Sequence, residues 1–527
     1  MFAIAPSQIQ KGLIWAGTND GKVWNTRDGG GRWNDVTQNI KGLPPMGTIS
    51  KIEPSHFDAA TAYIAVDFHL MDNRDPWLYK TTDFGQTWTK VTGNLPKGHP
   101  LDYARVIAEN PNRKGMLFAG TGHALYYSLD DGANWKQFKE GLPPASVSWI
   151  VVQKQAHDLV VSTYGRGLYI LEDITPLEQG AMEGAVSAPA VQFVAPRPAY
   201  RQGRGGRAQL SYVLKAAPGN APQLEILDAA GNVIRRIPQA AGRPGLNRVF
   251  WDLRYEEGAR LIALRTTPPE NPHIWEEPRF QGAQTRPITH WGVGQVPGPT
   301  AAPGKYSVRL TVDGQSYTQP LQILLPPDAH GTEAEVQEAV KLQLRVRDDI
   351  SAVADMTNTI EWLRRQIENA RKSLAGQSGK DALIKNLDAF DKKMQDIEYT
   401  HFISRSEALS DDKYYVEQYK LYLNLIWTYQ VIGPGGGDVA GIADYGPTDQ
   451  AKALVTDFEK QIQTAKGLYT ALIEKELPAF NKSIEGSGIP QLQTTGAPPP
   501  TPTGRGRGGN PPMQIAGVPP TSIRTGR

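Results

Sequence analysis

The chain has 527 residues, enough for several domains, and a formal net charge of +2, which gives no global field for nucleic acid or an anionic membrane surface. It contains no cysteine, so disulfides, thiolate nucleophiles and cysteine-bound zinc are excluded. No stretch approaches the roughly 18 uninterrupted apolar residues of a membrane-spanning helix, and the opening MFAIAPSQIQKGL lacks the basic start and apolar core of a signal peptide.

In the first third of the chain one short signature occurs three times. It reads Thr26-x-Asp28-x-Gly30-x-x-Trp33, then Thr81-x-Asp83-x-Gly85-x-x-Trp88, then Ser128-x-Asp130-x-Gly132-x-x-Trp135. The carboxylate suits acceptance of backbone N–H bonds within its own turn, and the preceding hydroxyl does the same more weakly. The glycine suits a backbone with φ > 0, and the tryptophan offers a large apolar face at the start of the returning strand. These twelve residues are therefore expected to build turns, not to catalyse.

Strands recur around the signature. FAIAPS, ISKIEPS, ARVIAENP and SWIVVQK read as opening strands, and LIWAGT, AYIAVDF, LFAGTG and LVVSTYG as second strands. Third strands follow as KVWNT, WLYKTT, LYYSL and LYILE, and fourth strands as WNDVT, TWTKVT and WKQF. A connector with Leu-Pro at positions 43–44, 95–96 and 142–143 separates the units. Such a period predicts propeller blades over residues 1–176, with about four blades of which the last keeps three strands. No segment reads as a spare strand for closing a ring, so the expectation is the C-terminal part of a longer propeller whose remaining blades are missing from this chain, with a small four-bladed ring as the alternative.

Residues 177–190 form a linker rich in Ala, Gly and Pro. From 191 to 326, QLEILDAAGNVIRRI, LNRVFWDLR and GKYSVRLTVDGQSYTQPLQIL alternate around Asp/Gly turns, which predicts a small antiparallel β-sandwich of the immunoglobulin or fibronectin type III kind. A loop rich in Pro, His and Trp interrupts it over about 258–300. At Thr332 the period changes to 3.6. Thr332 and Glu335 read as a capping box, followed by Val336, Val340, Val346, Ile350, Val353, Ile360, Leu363 and Ile367. A second helix carries Leu383, Leu387, Phe390, Met394 and Ile397. A third is expected over Asp412–Ile432, with core aromatics Tyr415, Tyr419 and Tyr422 beside Ile426. A fourth starts at Pro447 and places Leu454, Phe458, Ile462 and Leu472 on one stripe. Residues 332–484 are thus expected to form a helical bundle or hairpin. Residues 485–527 read as a solvated Pro/Gly/Arg-rich tail, and the Gly504–Gly509 run of Arg and Gly is too short to imply nucleic acid.

The three signatures match the Asp box of BNR-repeat proteins. With TYGRGLYILEDITPL, FVAPRPAYR, AGNVIRR, WDLR and APGKYSVRLTVDG in that order, the chain resembles large bacterial BNR/sortilin-type propeller proteins, often labelled glycosyl hydrolases, up to about residue 485. The resemblance implies a longer parent with further blades and a secreted or periplasmic setting. It differs from receptor sortilins, whose propeller precedes a cysteine-rich module. Sialidases share the box but need three arginines, a Tyr–Glu pair and an acid aspartate, none of which maps by motif onto Arg27, Arg32, Arg74, Arg105, Arg113 or Arg166. Xyloglucan-cleaving propellers use two facing aspartates, which no motif identifies here.

Topology places the Asp boxes on the same face as the turns between first and second strands. The opposite face carries the loops between second and third strands, hence Asp67, His69, Asp72, Arg74 and Asp75 from DFHLMDNRDP, His123, and Tyr164 and Arg166 from TYGRG. These eight are the candidate ligand-binding residues, with Arg166 alternatively an inward ion pair. The expected function is a non-catalytic module binding a carbohydrate or peptide. The alternative is a glycoside hydrolase whose acidic pair comes from Asp67, Asp72 or Asp75. No cofactor is expected, and no recognised ligand spacing points to a metal.

Overall fold

Each Ser/Thr-x-Asp turn closes on itself in the same way. Thr26, Thr81 and Ser128 donate their hydroxyls to Asp28, Asp83 and Asp130 at 2.7–2.8 Å. The same aspartate oxygen accepts the backbone N–H four residues on, from Arg32, Thr87 and Asn134. These bonds to the ionised form hold all three carboxyls below the usual aspartate range against what burial would do. Each turn also leans on the first hairpin of its own sheet: Gly29 donates to Gly12, Phe84 to Ala60 and Asp131 to Gly115.

The computed structural model describes residues 1–139, 141–182, 189–201, 206–238, 240–256, 258–288, 296–409, 417–433 and 444–500. Asp412, Tyr415 and the Gly504–Gly509 run lie outside them. Met1–Ala199, Arg207–Trp251 and Lys305–Gln322 make one compact unit, and Tyr200–Gly206, Asp252–Gly304 and Ile323–Arg527 make another.

The first unit opens with four antiparallel meanders. Sheet one is Ala3–Pro6, Ile14–Gly17, Val23–Thr26 and Asn34–Asp35, and sheet two is Thr48–Pro54, Ala62–Asp67, Trp77–Thr81 and Thr89–Lys90. Sheet three is Ala104–Glu109, Leu117–Thr121, Leu125–Ser128 and Lys136–Gln137, and sheet four has Val147–Gln153, Asp158–Thr163 and Gly167–Leu171. Successive sheets bury one apolar seam each. Trp15, Ile49, Ile52 and Ile64 fill the first, Tyr63, Leu78, Ile107 and Leu117 the second, and Phe118, Ile150, Leu159 and Val161 the third. The result is a propeller-like array of sheets. In the second seam the Tyr63 hydroxyl bonds Asp131 at 2.9 Å and Glu109 at 3.2 Å. Burial and those two carboxylates push its phenol well above the ordinary range.

The signature tryptophans face unequal surroundings. Trp135 is buried and donates its indole N–H to Val91 of the preceding sheet at 3.0 Å, and Trp88 packs edge-on to Trp15, centroids 6.0 Å apart. Trp33 has no described sheet before it and is 36% exposed. The signature glycines differ likewise. All three have positive φ, but a Cβ on Gly132 would meet the Val91 carbonyl at 2.7 Å, whereas one on Gly30 meets only Trp33 at 3.8 Å. Gly30→Ala should therefore cost about 1 kcal/mol of backbone strain. Gly132→Ala adds overpacking and should cost about 2–4 kcal/mol. Urea unfolding of the two variants measures this, and equal losses would refute the seam.

Two further antiparallel sheets complete this unit. Val191–Phe193, Ala208–Leu214 and Gly245–Trp251 form one. The other runs Ala199–Tyr200, Gln315–Leu324, Gly304–Val312, Gln223–Leu227 and Val233–Ile237. Leu210 and Tyr212 of the first and Leu224, Ile226, Val308 and Leu310 of the second are buried, and Trp251 meets Tyr306 edge-on at 6.1 Å. The hairpin at Ala230–Asn232 is pinned by Asp228, whose carboxylate accepts the N–H groups of Ala230 and Asn232.

The second unit is built on helix Glu333–Leu374, 42 residues and so about 63 Å long. Thr332 and Glu335 cap it reciprocally, and the eight apolar positions from Val336 to Ile367 are all buried. Helices Asp381–Ile397, Leu421–Ile432 and Asp449–Ala471 pack with it around one core. The last is N-capped by Thr448, whose hydroxyl accepts the Ala451 N–H. The stripe expected through Leu454 is corrected here: Leu454 is exposed, and Val455 joins Phe458, Ile462 and Leu472 in the core. One position is a 100° turn of a helix, and packing sets that phase. Among the described residues no helix is long and apolar enough to cross a membrane.

Candidate functional site

Asp67 ends the second strand of sheet two, and its carboxylate organises the loop that follows. One oxygen accepts the His69 backbone N–H at 2.9 Å and faces His69 Nδ1 at 2.7 Å. The other lies 3.9 Å from Arg105 Nε. A short 3-10 turn, His69–Met71, is closed by Asp72 in the left-handed region at φ 58°. Phe68 is buried and meets Trp77 edge-on at 5.4 Å, which anchors the loop from below.

His69 stacks on Tyr103 with centroids 4.8 Å apart and planes 21° from parallel. The Arg74 guanidinium lies 6.0 Å from the same ring. Arg105 donates to Ser146 at 3.3 Å, and Tyr164 donates its backbone N–H to the Ser146 carbonyl at 2.8 Å. Asp67, His69, Tyr103, Arg105 and Ser146 therefore make one continuous polar strip, with Arg74 and Tyr164 at its margins. Sequence reasoning missed Tyr103 and Ser146 because the connectors before sheets three and four deliver them, and set aside Arg105, which lies in the strand Ala104–Glu109. A half-buried arginine next to a strand-end aspartate leaves no spacing signal.

Other expected residues sit apart. Asp72 is 98% exposed at the loop tip, 3.8 Å from Arg74. Asp75 acts on Lys90, whose ammonium is held down by burial and Lys97 and only partly supported by this carboxylate. Arg166 is exposed in its turn, which corrects the alternative of an inward ion pair. His123 lies beside His99 and Asp102, the latter buried, on the connector that also carries Tyr103.

A second concavity, about 410 Å³, lies along the opening strands of sheets one and two. It is lined by Phe2, Ile4, Lys51, Glu53, His56 and Trp149. Lys51 sits 3.9 Å from the Trp149 ring and 3.2 Å from Glu53. Apolar side chains here point away from the seams: Ile4 and Trp149 are exposed, as are Leu168 and Ile170 on sheet four.

No family model matches the chain. A xyloglucanase from a Paenibacillus species is 26% identical over 271 residues, which is 48% of this chain and 25% of that protein. The chain thus spans a quarter of that relative's length. A Niastella koreensis GH74 enzyme is similar over 60% of this chain and 53% of its own, at 14% identity and a TM-score of 0.26. YCF48 bound to D1 peptide is similar over 60% of this chain and 79% of its own, at 15% identity and a TM-score of 0.22. At such scores the propeller-like reading rests on the chain's own meander sheets and seams.

Proposed function

We propose that the chain is a member of the Asp-box propeller group and that its sheet array is a non-catalytic binding module for a carbohydrate or peptide. The ligand engages the strip of Asp67, His69, Tyr103 and Arg105, with Arg74 and Tyr164 closing its ends. One observation carries this reading over hydrolysis: Asp67 is engaged by His69 and faced by Arg105, while Asp72 stands at an exposed tip. A glycosidase needs two carboxyls roughly 5–10 Å apart across one bond, one of them ready to give up a proton. The strip instead offers a stacked ring pair and a guanidinium, groups suited to sugar faces and to peptide carbonyls.

Binding to glycan and peptide panels tests this on the full chain. His69→Ala and Arg105→Ala should each weaken capture at least tenfold, with sugar release at background throughout. Undiminished capture by both variants would sink the proposal. The 26% identical xyloglucanase favours a second reading, a glycoside hydrolase using Asp67 with Asp72 or Asp75. That reading expects wild-type release of reducing ends from xyloglucan, abolished in Asp67→Asn or Asp72→Asn.

A further inference from the structure

The connector before sheet three and the His123 loop of that sheet place two imidazoles and a carboxylate together. One ligating atom from each of His99, Asp102 and His123 lies within 4.8 Å of the others. We infer that these three residues bind a single divalent transition-metal cation of the zinc class, with the remaining coordination position left to water or to a ligand oxygen.

Asp102 is the fixed member. It is 2% exposed, and one carboxylate oxygen accepts the His99 backbone N–H at 2.8 Å. Its own N–H returns to the His99 carbonyl at 3.1 Å. The other oxygen points at His123 Nε2 across 3.8 Å, too far for a hydrogen bond. Two donors bound to one cation at about 2.0–2.2 Å each would sit roughly 3.3–3.5 Å apart. The gap is therefore close to what a shared ion needs, and it is a poor fit to a direct pair.

His123 is oriented by its other nitrogen. Nδ1 lies 2.9 Å from the Leu101 carbonyl, an acceptor only, so Nδ1 carries a proton and the neutral ring presents its Nε2 lone pair toward Asp102. A backbone carbonyl behind a ligating histidine is the usual device for fixing tautomer and ring plane. The loop beneath is held as well: Gly122 donates to Tyr103 at 3.1 Å, and Ala145 donates to the His123 carbonyl at 3.2 Å. His99 is the adjustable member. Its ring is exposed and lies 5.0 Å from that of His123, tilted by 52°. Its Nδ1 accepts the Leu101 N–H at 3.2 Å, a bond that ligation would replace.

Two imidazole nitrogens and one carboxylate oxygen suit zinc, cobalt or iron(II), not calcium or magnesium, which prefer all-oxygen shells. Spacing gave no hint of this because the two histidines belong to different loops. The site shares its connector with Tyr103 of the binding strip, but zinc binding is read without any strip ligand, so either proposal can fail alone.

The experiment is titration of the full metal-stripped chain with zinc chloride by calorimetry, with cobalt(II) absorption as a second readout. One equivalent should bind saturably, and cobalt(II) should develop visible bands of a low-coordinate nitrogen/oxygen site. His123→Ala and Asp102→Asn should each weaken binding at least tenfold, while His273→Ala, on the other unit, should not. Asn at 102 keeps an oxygen for the His99 N–H, and circular dichroism checks that each variant folds. Absence of saturable binding up to about 1 mM zinc, or unchanged affinity in His123→Ala, would overturn the site.

Discussion

Arg364→Ala is expected to cost the helical unit about 3–5 kcal/mol, the usual penalty for stripping one partner from a buried charge network. Arg364 is 3% exposed and forks among three carboxyls: Asp391 at 3.0 Å, Glu361 at 3.0 Å and Glu398 at 2.6 Å. Glu361 also accepts the Thr266 N–H at 2.8 Å and its hydroxyl at 2.5 Å. Arg371 reaches Asp391 from the other side at 3.1 Å. Arg265 and Arg286 also act on Glu361, and Arg371 bridges Asp388 at 2.6 Å as well. Burial pushes Glu398, fully enclosed, well above the ordinary glutamate range, and the neighbouring Glu361 pushes the same way against Arg364. With the guanidinium gone, Glu361 and Asp391 lose their main counter-charge inside an apolar core.

The upward push on Glu398 makes Glu398→Gln the milder change, within about 1 kcal/mol, because burial disfavours the charge that the amide removes. Arg364→Lys should fall between the two, since an ammonium cannot fork among three partners in one plane. Chemical unfolding followed by far-ultraviolet circular dichroism ranks the three variants. A loss under about 1 kcal/mol for Arg364→Ala, or a larger loss for Glu398→Gln, would contradict the network as described.

Local chemistry explains what could be read from residues alone. The mainly β array is legible because each Ser/Thr-x-Asp turn makes its bonds within eight residues, so Thr81, Asp83 and Gly85 announce themselves. The helical C-terminal region is legible because burial of Val346, Ile350, Val353, Ile360 and Leu363 imposes a 3.6 period. Phase is harder. Val455 and Leu454 are adjacent apolar residues, and only the neighbouring helices decide which turns inward. Loop residues Asp67 and His69 stand out as a polar insert beside an apolar strand. Tyr103, Asp102 and His99 do not, because the connector that carries them looks like any surface linker, and Arg105 is one polar residue in the strand Ala104–Glu109. Arg364, Glu361 and Glu398 are the extreme case: on a helix they read as solvated charges, and only the fold reveals that they are enclosed.

Raising the pH from 5 to 8.5 should weaken the helical unit through Glu407. This residue closes a capping box with Ser404, whose N–H it accepts at 2.9 Å, and it accepts the Lys420 N–H at 3.3 Å. Burial pushes its carboxyl up from 4.5 to about 7; Glu417 adds to the rise, while the two backbone bonds and the Lys420 charge oppose it. The folded value exceeds the unfolded one, so the folded state holds its proton longer. The associated stability is complete below pH 4.5 and is lost as pH rises through 7. A shift of that size is worth about 3 kcal/mol at full ionisation. Asp349, pushed up to about 6 by burial and by Glu459, acts in the same direction but is only half enclosed. His401, held down by burial and Lys420, acts oppositely at the acid end. Comparing wild type with Glu407→Gln cancels both, because they are common to the two proteins. The difference in slope is the readout, not the absolute level, since glutamine cannot accept both backbone bonds as well as a carboxylate does. Urea midpoints should fall more steeply with pH in wild type than in the variant. Parallel profiles would mean that Glu407 is already ionised at pH 5 and that its burial exacts no titratable penalty.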